Sequence, residues 1–175
     1  MKWSNAVLSA LSVAALGLLA LGLTSTSAFA TTTQTSNFTV GVTVNNSCNI
    51  STSNLAFGAS PGYLGAVMNA QSTITVTCNT NTGMQSYTVG LSGGGSNNDT
   101  ARQMTITGGG SSTLNYTLTS VSYTGSNWGN TATTGWVTEP ANTGSTSLTV
   151  FGTIPAGQVV AQGTYSDTIT ATITY

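Results

Sequence analysis

The chain contains very little charge. Of its 175 residues, two are Lys or Arg, three are Asp or Glu, and none is His. Without His, neither a Ser-His-Asp triad nor a Cys-His pair can form. So few cations cannot neutralise a phosphate backbone, and we therefore expect no nucleic-acid binding. A free protein with so few charges is expected to be poorly soluble, which favours a surface largely covered by other protein.

Catalytic groups are scarce as well. The acidic residues Asp99, Glu139 and Asp167 could in principle supply the carboxylate pair of a glycosidase, but nothing in the sequence brings two of them together. The glycine runs are not followed by Gly-Lys-Ser or Gly-Lys-Thr, which a phosphate-binding loop requires. We predict that the chain is not an enzyme and that it binds no metal or cofactor.

Only two cysteines are present, Cys48 and Cys78, which lie 30 positions apart. Both follow a predicted export signal, and a disulfide persists in the oxidising compartments that such a signal leads to. We predict that they pair, and that closing this loop stabilises the fold by roughly 3 to 4 kcal/mol. A metal site built on the two thiolates is the alternative, which the absence of His and the scattered acidic residues disfavour.

The first 30 residues have the pattern of a secretory signal peptide. The basic start Met1-Lys2 precedes an apolar stretch over residues 6–23, and Ala28-Phe29-Ala30 forms a small-x-small cleavage site. The apolar stretch is long enough to raise the alternative of a membrane anchor, but the cleavage site favours removal. Removal leaves 145 residues, the size of one domain, and predicts export to the periplasm.

Alternation of apolar and polar residues dominates the rest of the chain and predicts half-buried β-strands. The alternating apolar sets are Phe38, Val40, Val42 and Val44; Ile74, Val76 and Cys78; Tyr87, Val89 and Leu91; Met104 and Ile106; Leu114, Tyr116 and Leu118; Leu148 and Val150; and Ile169, Ala171, Ile173 and Tyr175. Glycine-rich clusters at residues 93–98 and 108–111 predict turns, and residues 124–145 predict a long loop with at most one short strand. Many short strands with such turns favour an antiparallel β-sandwich.

Several motifs along this pattern resemble a known family. In chain order they are Val42-Thr43-Val44-Asn45-Asn46-Ser47-Cys48-Asn49-Ile50, Leu55-Ala56-Phe57-Gly58, Ile74-Thr75-Val76-Thr77-Cys78, Tyr87-Thr88-Val89-Gly90-Leu91, Arg102-Gln103-Met104, Leu114-Asn115-Tyr116-Thr117-Leu118, Trp128-Gly129, Phe151-Gly152-Thr153-Ile154-Pro155-Ala156-Gly157-Gln158 and Gly163-Thr164-Tyr165-Ser166-Asp167-Thr168-Ile169. Together they resemble the spore coat protein U domain, which is shared with rod subunits of the archaic chaperone-usher pili of the Csu type.

The resemblance implies an immunoglobulin-like sandwich that lacks one strand and is completed by donor-strand exchange. It also implies three kinds of partner: a periplasmic chaperone that fills the gap temporarily, an outer-membrane usher, and copies of the chain itself or related subunits. In such a family the last strand, here Ile169, Ala171, Ile173 and Tyr175, borders the groove and is where the chaperone docks. Fibres of this kind support adhesion and biofilm formation at the cell surface.

The segment before Cys48 fits the role of the donated strand. Its apolar residues Phe38, Val40, Val42 and Val44 share one face, and an added strand gains main-chain hydrogen bonds while alternate side chains fill pockets. The alternative is that residues 38–44 form the first strand of their own domain, and Val44 could belong there in either case. The resulting division is a signal peptide over residues 1–30, a donor extension over 31–46 and a pilin domain over 47–175.

The sequence therefore predicts a non-enzymatic subunit of a surface pilus. Two other functions remain open: a secreted coat or matrix protein of the spore coat type, which would share the fold, and a carbohydrate-binding module or tip adhesin. An adhesin is expected to carry an additional receptor-binding domain, for which the 145 residues after the signal leave no room.

Overall fold

The computed structural model describes residues 31–60, 63–79 and 86–175. The predicted signal peptide lies outside these residues. The chain divides into two units, Met1–Gly41 and Val42–Tyr175. In the first unit, residues 31–41 are exposed and form no regular secondary structure. In the part of the chain that the structure describes, no helix is long and apolar enough to cross a membrane.

The second unit is an all-β fold of antiparallel strands. The strands are β1 (Ser47–Thr52), β2 (Met68–Asn79), β3 (Ser86–Leu91), β4 (Arg102–Ile106), β5 (Thr113–Thr119), β6 (Val137–Pro140), β7 (Gly144–Ile154), β8 (Tyr165–Ser166) and β9 (Ala171–Thr174). One sheet has the order β1-β2-β7-β5-β4-β8, and the other has the order β6-β3-β9. This arrangement confirms the predicted antiparallel immunoglobulin-like sandwich.

The core explains why the alternating segments form strands. In β2, Ile74, Val76 and Cys78 are buried while Thr73, Thr75 and Thr77 face the other side. Because successive side chains of a strand point to opposite faces, one register buries every apolar residue of the segment. The other buried apolar residues come from both sheets and the adjoining loops: Leu64, Ala70, Tyr87, Val89, Leu91, Met104, Leu114, Tyr116, Leu118, Trp128, Leu148, Val150 and Ile154.

Glycine makes the β4–β5 connection possible. Gly108, Gly109 and Gly110 have φ angles of 91°, 95° and 145°, a region that side chains with a Cβ rarely adopt. The cluster at residues 93–98, also predicted as a turn, contains a short 3₁₀ helix over Gly94–Ser96. The predicted loop over residues 124–145 contains one short strand, β6, and the start of β7.

Two predicted strands differ from the structure. Residues 38–44 form no strand, and their apolar side chains are exposed. The last strand is shorter than predicted, because Ile169 precedes β9 and Tyr175 follows it. Between β8 and β9 the chain passes from one sheet to the other, and Ser92 holds this crossing by bonding the amide and carbonyl of Thr170. A backbone that changes sheets cannot pair continuously with one neighbour.

The predicted disulfide is present and joins the edge strand β1 to its neighbour. Cys48 and Cys78 face each other in the β1–β2 register, with an S–S distance of 2.07 Å. Since β2 is the one strand that pairs with β1 among the described residues, the attachment of β1 rests on one ladder and this covalent link. The disulfide therefore fixes the position of a strand whose outer edge is open.

Replacing both cysteines with Ala should destabilise the fold by about 3 kcal/mol, which raises the population of opened molecules by about 100-fold. Trypsin measures this population, because Arg102 is the one Lys or Arg after residue 30 and its side chain is 1% exposed. Cleavage after Arg102 should accelerate by the same factor, while Asn49→Ala on the exposed face of β1 should leave it unchanged. An unaltered cleavage rate in the double variant would contradict this role of the disulfide.

Candidate functional site

The two sheets do not close along one side of the sandwich. Among the described residues, β1 pairs only with β2, and β9 pairs only with β3. The two strands lie near each other but form no ladder. Each therefore presents unpaired backbone donors and acceptors at its free edge, and such edges are sites of strand addition.

A groove with a cavity volume of about 450 Å³ opens beside these edges. Most of the side chains that line it are apolar. They include core residues of both sheets. The lining residues are Thr52, Ser53, Asn54, Leu55, Ala56, Phe57, Ser72, Ile74, Leu91, Met104, Tyr116, Leu118, Val150, Tyr165, Ser166, Asp167, Ile169 and Ala171. The groove thus leads directly onto the hydrophobic core, which a complete sandwich would cover with another strand.

One wall of the groove is the segment that follows β1. Leu55 and Phe57 pack over the backbone of Gly152 in β7, where an added Cβ would lie 2.9 Å from each side chain. That distance is too short for a real Cβ, so a side chain at position 152 would push the tips of Leu55 and Phe57 away from β7. The motif Leu55-Ala56-Phe57-Gly58, which the sequence singled out, therefore shapes the groove.

The opposite wall carries a carboxylate, Asp167. Its Oδ1 accepts hydrogen bonds from the Gly95 amide at 2.8 Å and from its neighbour Thr168 at 2.7 Å, and its Oδ2 accepts one from the Tyr116 hydroxyl at 2.6 Å. Burial, together with this bond to Asp167, raises the pKa of Tyr116. Because Tyr116 stays protonated, it remains a donor that fixes Asp167 at the point where the chain crosses between the sheets.

A buried arginine organises the floor behind the groove. The side chain of Arg102 is 1% exposed, and its guanidinium donates to the carbonyls of Leu91, Ser92 and Trp128 at 2.7 to 2.8 Å, and to Asn127 Oδ1 at 3.2 Å. Burial lowers the pKa of Arg102, but a guanidinium stays charged in proteins. The planar guanidinium of Arg102 thereby joins the end of β3 to the loop that contains Asn127 and Trp128.

A second carboxylate, Asp99, fastens the neighbouring loop. Its Oδ2 accepts hydrogen bonds from the Thr134 hydroxyl at 2.7 Å and the Asn130 amide at 2.8 Å, and these two bonds lower the pKa of Asp99. Trp128, which is fully buried, donates its indole N–H to the Val89 carbonyl at 2.8 Å. The charged groups of Asp99, Arg102 and Asp167 thus hold parts of the domain together through hydrogen bonds. Within the described residues, no three His, Cys, Asp or Glu side chains gather to hold a metal ion.

The family model of the spore coat protein U domain matches residues 34–172. The chain belongs to this family. No curated protein is similar enough to the chain to count as a relative. The match extends from the exposed segment before β1 to β9, so the family pattern covers the groove and both of its edges as well as the core.

Among solved structures, this spore coat protein U domain is similar to a chain of the CsuC–CsuE chaperone–tip adhesion subunit pre-assembly complex from archaic chaperone-usher Csu pili of Acinetobacter baumannii. The identity is 26% and the TM-score 0.53, over 76% of the present chain and 40% of that chain. The present chain thus spans well under half of that relative. This likeness agrees with the immunoglobulin-like fold.

Two more distant structures also match this domain. The E. coli Hda pilus minor tip subunit, HdaB, is 12% identical with a TM-score of 0.40, over 71% of this chain and 80% of that chain. A chaperone–tip adhesin complex of CFA/I fimbriae contains a chain that is 16% identical with a TM-score of 0.44, over 73% of this chain and 42% of that chain.

The structure places the residues singled out by sequence in three locations. Ile169 and Ala171 line the groove, Ile173 packs against the core, and Tyr175 is exposed. The residues of the donor prediction are 87% (Phe38), 83% (Val40), 87% (Val42) and 66% (Val44) exposed. Their donation to another molecule remains a prediction.

Three contributors to the site were not predicted from the sequence: the deep burial of Arg102, the wall formed by Leu55 and Phe57, and the carboxylate of Asp167. Arg102 and the Leu55–Phe57 wall lie within motifs that the resemblance had marked, and Asp167 lies in the last of them.

Proposed function

We propose that this protein is a structural subunit of a surface pilus assembled by a chaperone-usher pathway, in which residues 38–44 of one copy fill the groove of another. The observation that carries the proposal is the open groove between β1 and β9, combined with an exposed amphipathic segment in the same chain. An extended segment with four alternating apolar side chains is what such a groove accepts.

Favourable docking of residues 38–44 requires both burial of their apolar side chains and hydrogen bonds to the strand edges. Burying four large apolar side chains contributes about 6 to 12 kcal/mol, at roughly 1.5 to 3 kcal/mol each. Ordering seven backbone residues costs about 7 to 14 kcal/mol. The two amounts nearly cancel, so hydrogen bonds to the free edges of β1 and β9 decide whether the segment stays in place. A groove with an open edge on each side supplies both ladders.

The partners follow from the same surface. A free subunit exposes part of its core, so a periplasmic chaperone that lends a strand protects the groove before assembly, and the edge of β9 with Ile169, Ala171 and Ile173 is where we place it. The similar Csu chain comes from a complex with its chaperone, which supports this partner. An outer-membrane usher and export through the predicted signal peptide complete the pathway, and the fibre at the cell surface supports adhesion and biofilm formation. The proposed function requires no catalysis.

A charge introduced on the groove face of the segment tests the proposal. Val42→Asp should bury an unpaired carboxylate in an apolar groove, which costs several kcal/mol and makes fibres dissociate at a much lower urea concentration. Thr43→Asp is the matched control, because it adds the same charge to the opposite face of the same segment. The measurement is the urea concentration at which purified fibres dissociate. Fibres of wild-type stability carrying Val42→Asp would disprove donation by this segment.

A further inference from the structure

An apolar patch lies at one end of the sandwich, away from the groove lining. Leu64 forms an antiparallel bridge with Gln158, which places Tyr63 opposite Val159. Leu64 is buried, so its neighbours point outward, and Tyr63 is 62% and Val159 85% exposed. Val67, just before β2, is 55% exposed. We call Tyr63, Val67 and Val159 the end patch, and this end of the domain the Leu64 end.

The segment before β1 leaves the domain at the other end. Ser47 pairs with Asn79 at the finish of β2, whereas Met68, at the start of β2, pairs with Ile154 near the Leu64 end. The groove extends towards the Leu64 end, because Phe57 lies over Gly152, whose partner Ala70 is two residues from the start of β2. A strand that enters the groove from outside the domain therefore arrives at the Leu64 end.

The connection between two copies is short. Only Asn45 and Asn46 separate Val44, the last apolar residue of the segment, from the start of β1 at Ser47. Three residue steps from Val44 to Ser47 span at most about 10 to 11 Å. If Val44 fills the groove of one copy, the domain that donates it must stand directly against the Leu64 end of that copy.

We propose that the end patch is the contact surface for a second copy of this chain, packing against the end of the domain from which the segment emerges. This inference rests on the proposed function and adds to it a domain-to-domain interface beside the donated strand. The contact is heterologous, since different surfaces of identical subunits meet, and such contacts repeat along a fibre. The patch makes the joint stiff as well as strong, because two domains in contact cannot pivot freely about a short linker.

Val159→Ser tests the inference, with Val121→Ser as the matched control. Val121 is 80% exposed and lies in the connection after β5, outside the end patch. Val159→Ser should make fibres dissociate about tenfold faster at a fixed urea concentration, because one buried Val contributes roughly that factor. It should also shorten the persistence length seen by electron microscopy. Val121→Ser should change neither quantity.

Binding of a synthetic peptide with the sequence of residues 36–46 to the groove should be the same in both variants, because the end patch lies outside the groove. Equal dissociation rates and equal persistence lengths for Val159→Ser and Val121→Ser would overturn the inference. A different experiment, the deletion of residues 31–46, tests the proposed function. Fibres that form without these residues would overturn strand donation, whatever the effect of Val159→Ser.

Discussion

Arg102→Met should abolish the stable fold. The substitution keeps much of the side-chain volume but leaves the carbonyls of Leu91, Ser92 and Trp128 without their donor in a buried site. Each buried acceptor that loses its partner costs about 1 to 3 kcal/mol, so the loss is at least about 3 kcal/mol. Domains of this size have free energies of unfolding of about 5 to 15 kcal/mol. A domain whose core is open along a groove is expected to lie at the lower end of this range, so a loss of this size is enough to unfold it.

Two further variants serve as controls, one that keeps the charge of Arg102 without its planar guanidinium and one that alters the neighbouring residue. Arg102→Lys keeps the charge but replaces a planar group that reaches three carbonyls by a compact ammonium, so we expect an intermediate loss. Gln103→Met alters the next residue, whose side chain bonds Asn115 at an exposed position, and should stay within about 0.5 kcal/mol of wild type. Urea unfolding followed by tryptophan fluorescence measures all three, since Trp128 is fully buried. Wild-type stability of Arg102→Met would show that other donors replace the guanidinium.

The role of Arg102 could not be predicted from the sequence. Its acceptors lie 10, 11 and 26 positions away, and nothing in the local pattern marks which backbone carbonyls will accept hydrogen bonds from a buried side chain. The same limit applies to the short strands β6 and β8. These contain few apolar residues, and their pairing depends on neighbours that are distant in the sequence.

The strands that build the core were predictable for the opposite reason. In β2, β3, β5 and β7 large apolar residues recur at every second position, such as Ile74, Val76 and Cys78 in β2, and a single register buries each such run. Residues 38–44 have the same pattern but form no strand and stay exposed. Alternation identifies a segment that can be buried on one face, and it contains no information about which sheet, or which molecule, provides the partner. Alternation also gives no sign of the gap between β1 and β9, because a missing strand leaves no trace in the pattern of those present. That gap was expected from the family resemblance alone.

Deleting residues 31–46 should eliminate polymerisation while leaving the groove intact. Such a subunit can accept a strand but has none to donate. When it is expressed with the chaperone and without the intact subunit, it should accumulate as a monomer whose groove is filled by the chaperone. Removing residues 31–36 is the matched control, because the alternating set from Phe38 to Val44 stays attached to β1, and fibres should form normally. Electron microscopy and size-exclusion chromatography distinguish the two outcomes.

Mixing the deletion variant with the intact protein tests whether the variant still accepts a strand. In a heterologous chain of subunits, a molecule that accepts without donating occupies one end and stops growth there. Adding the 31–46 deletion variant to the intact protein should therefore shorten fibres in proportion to its molar share, whereas a variant that merely misfolds would leave their length unchanged. If the deletion variant forms fibres by itself, some other segment must fill the groove, because residues 38–44 are absent from every subunit. That result would contradict donation by residues 38–44.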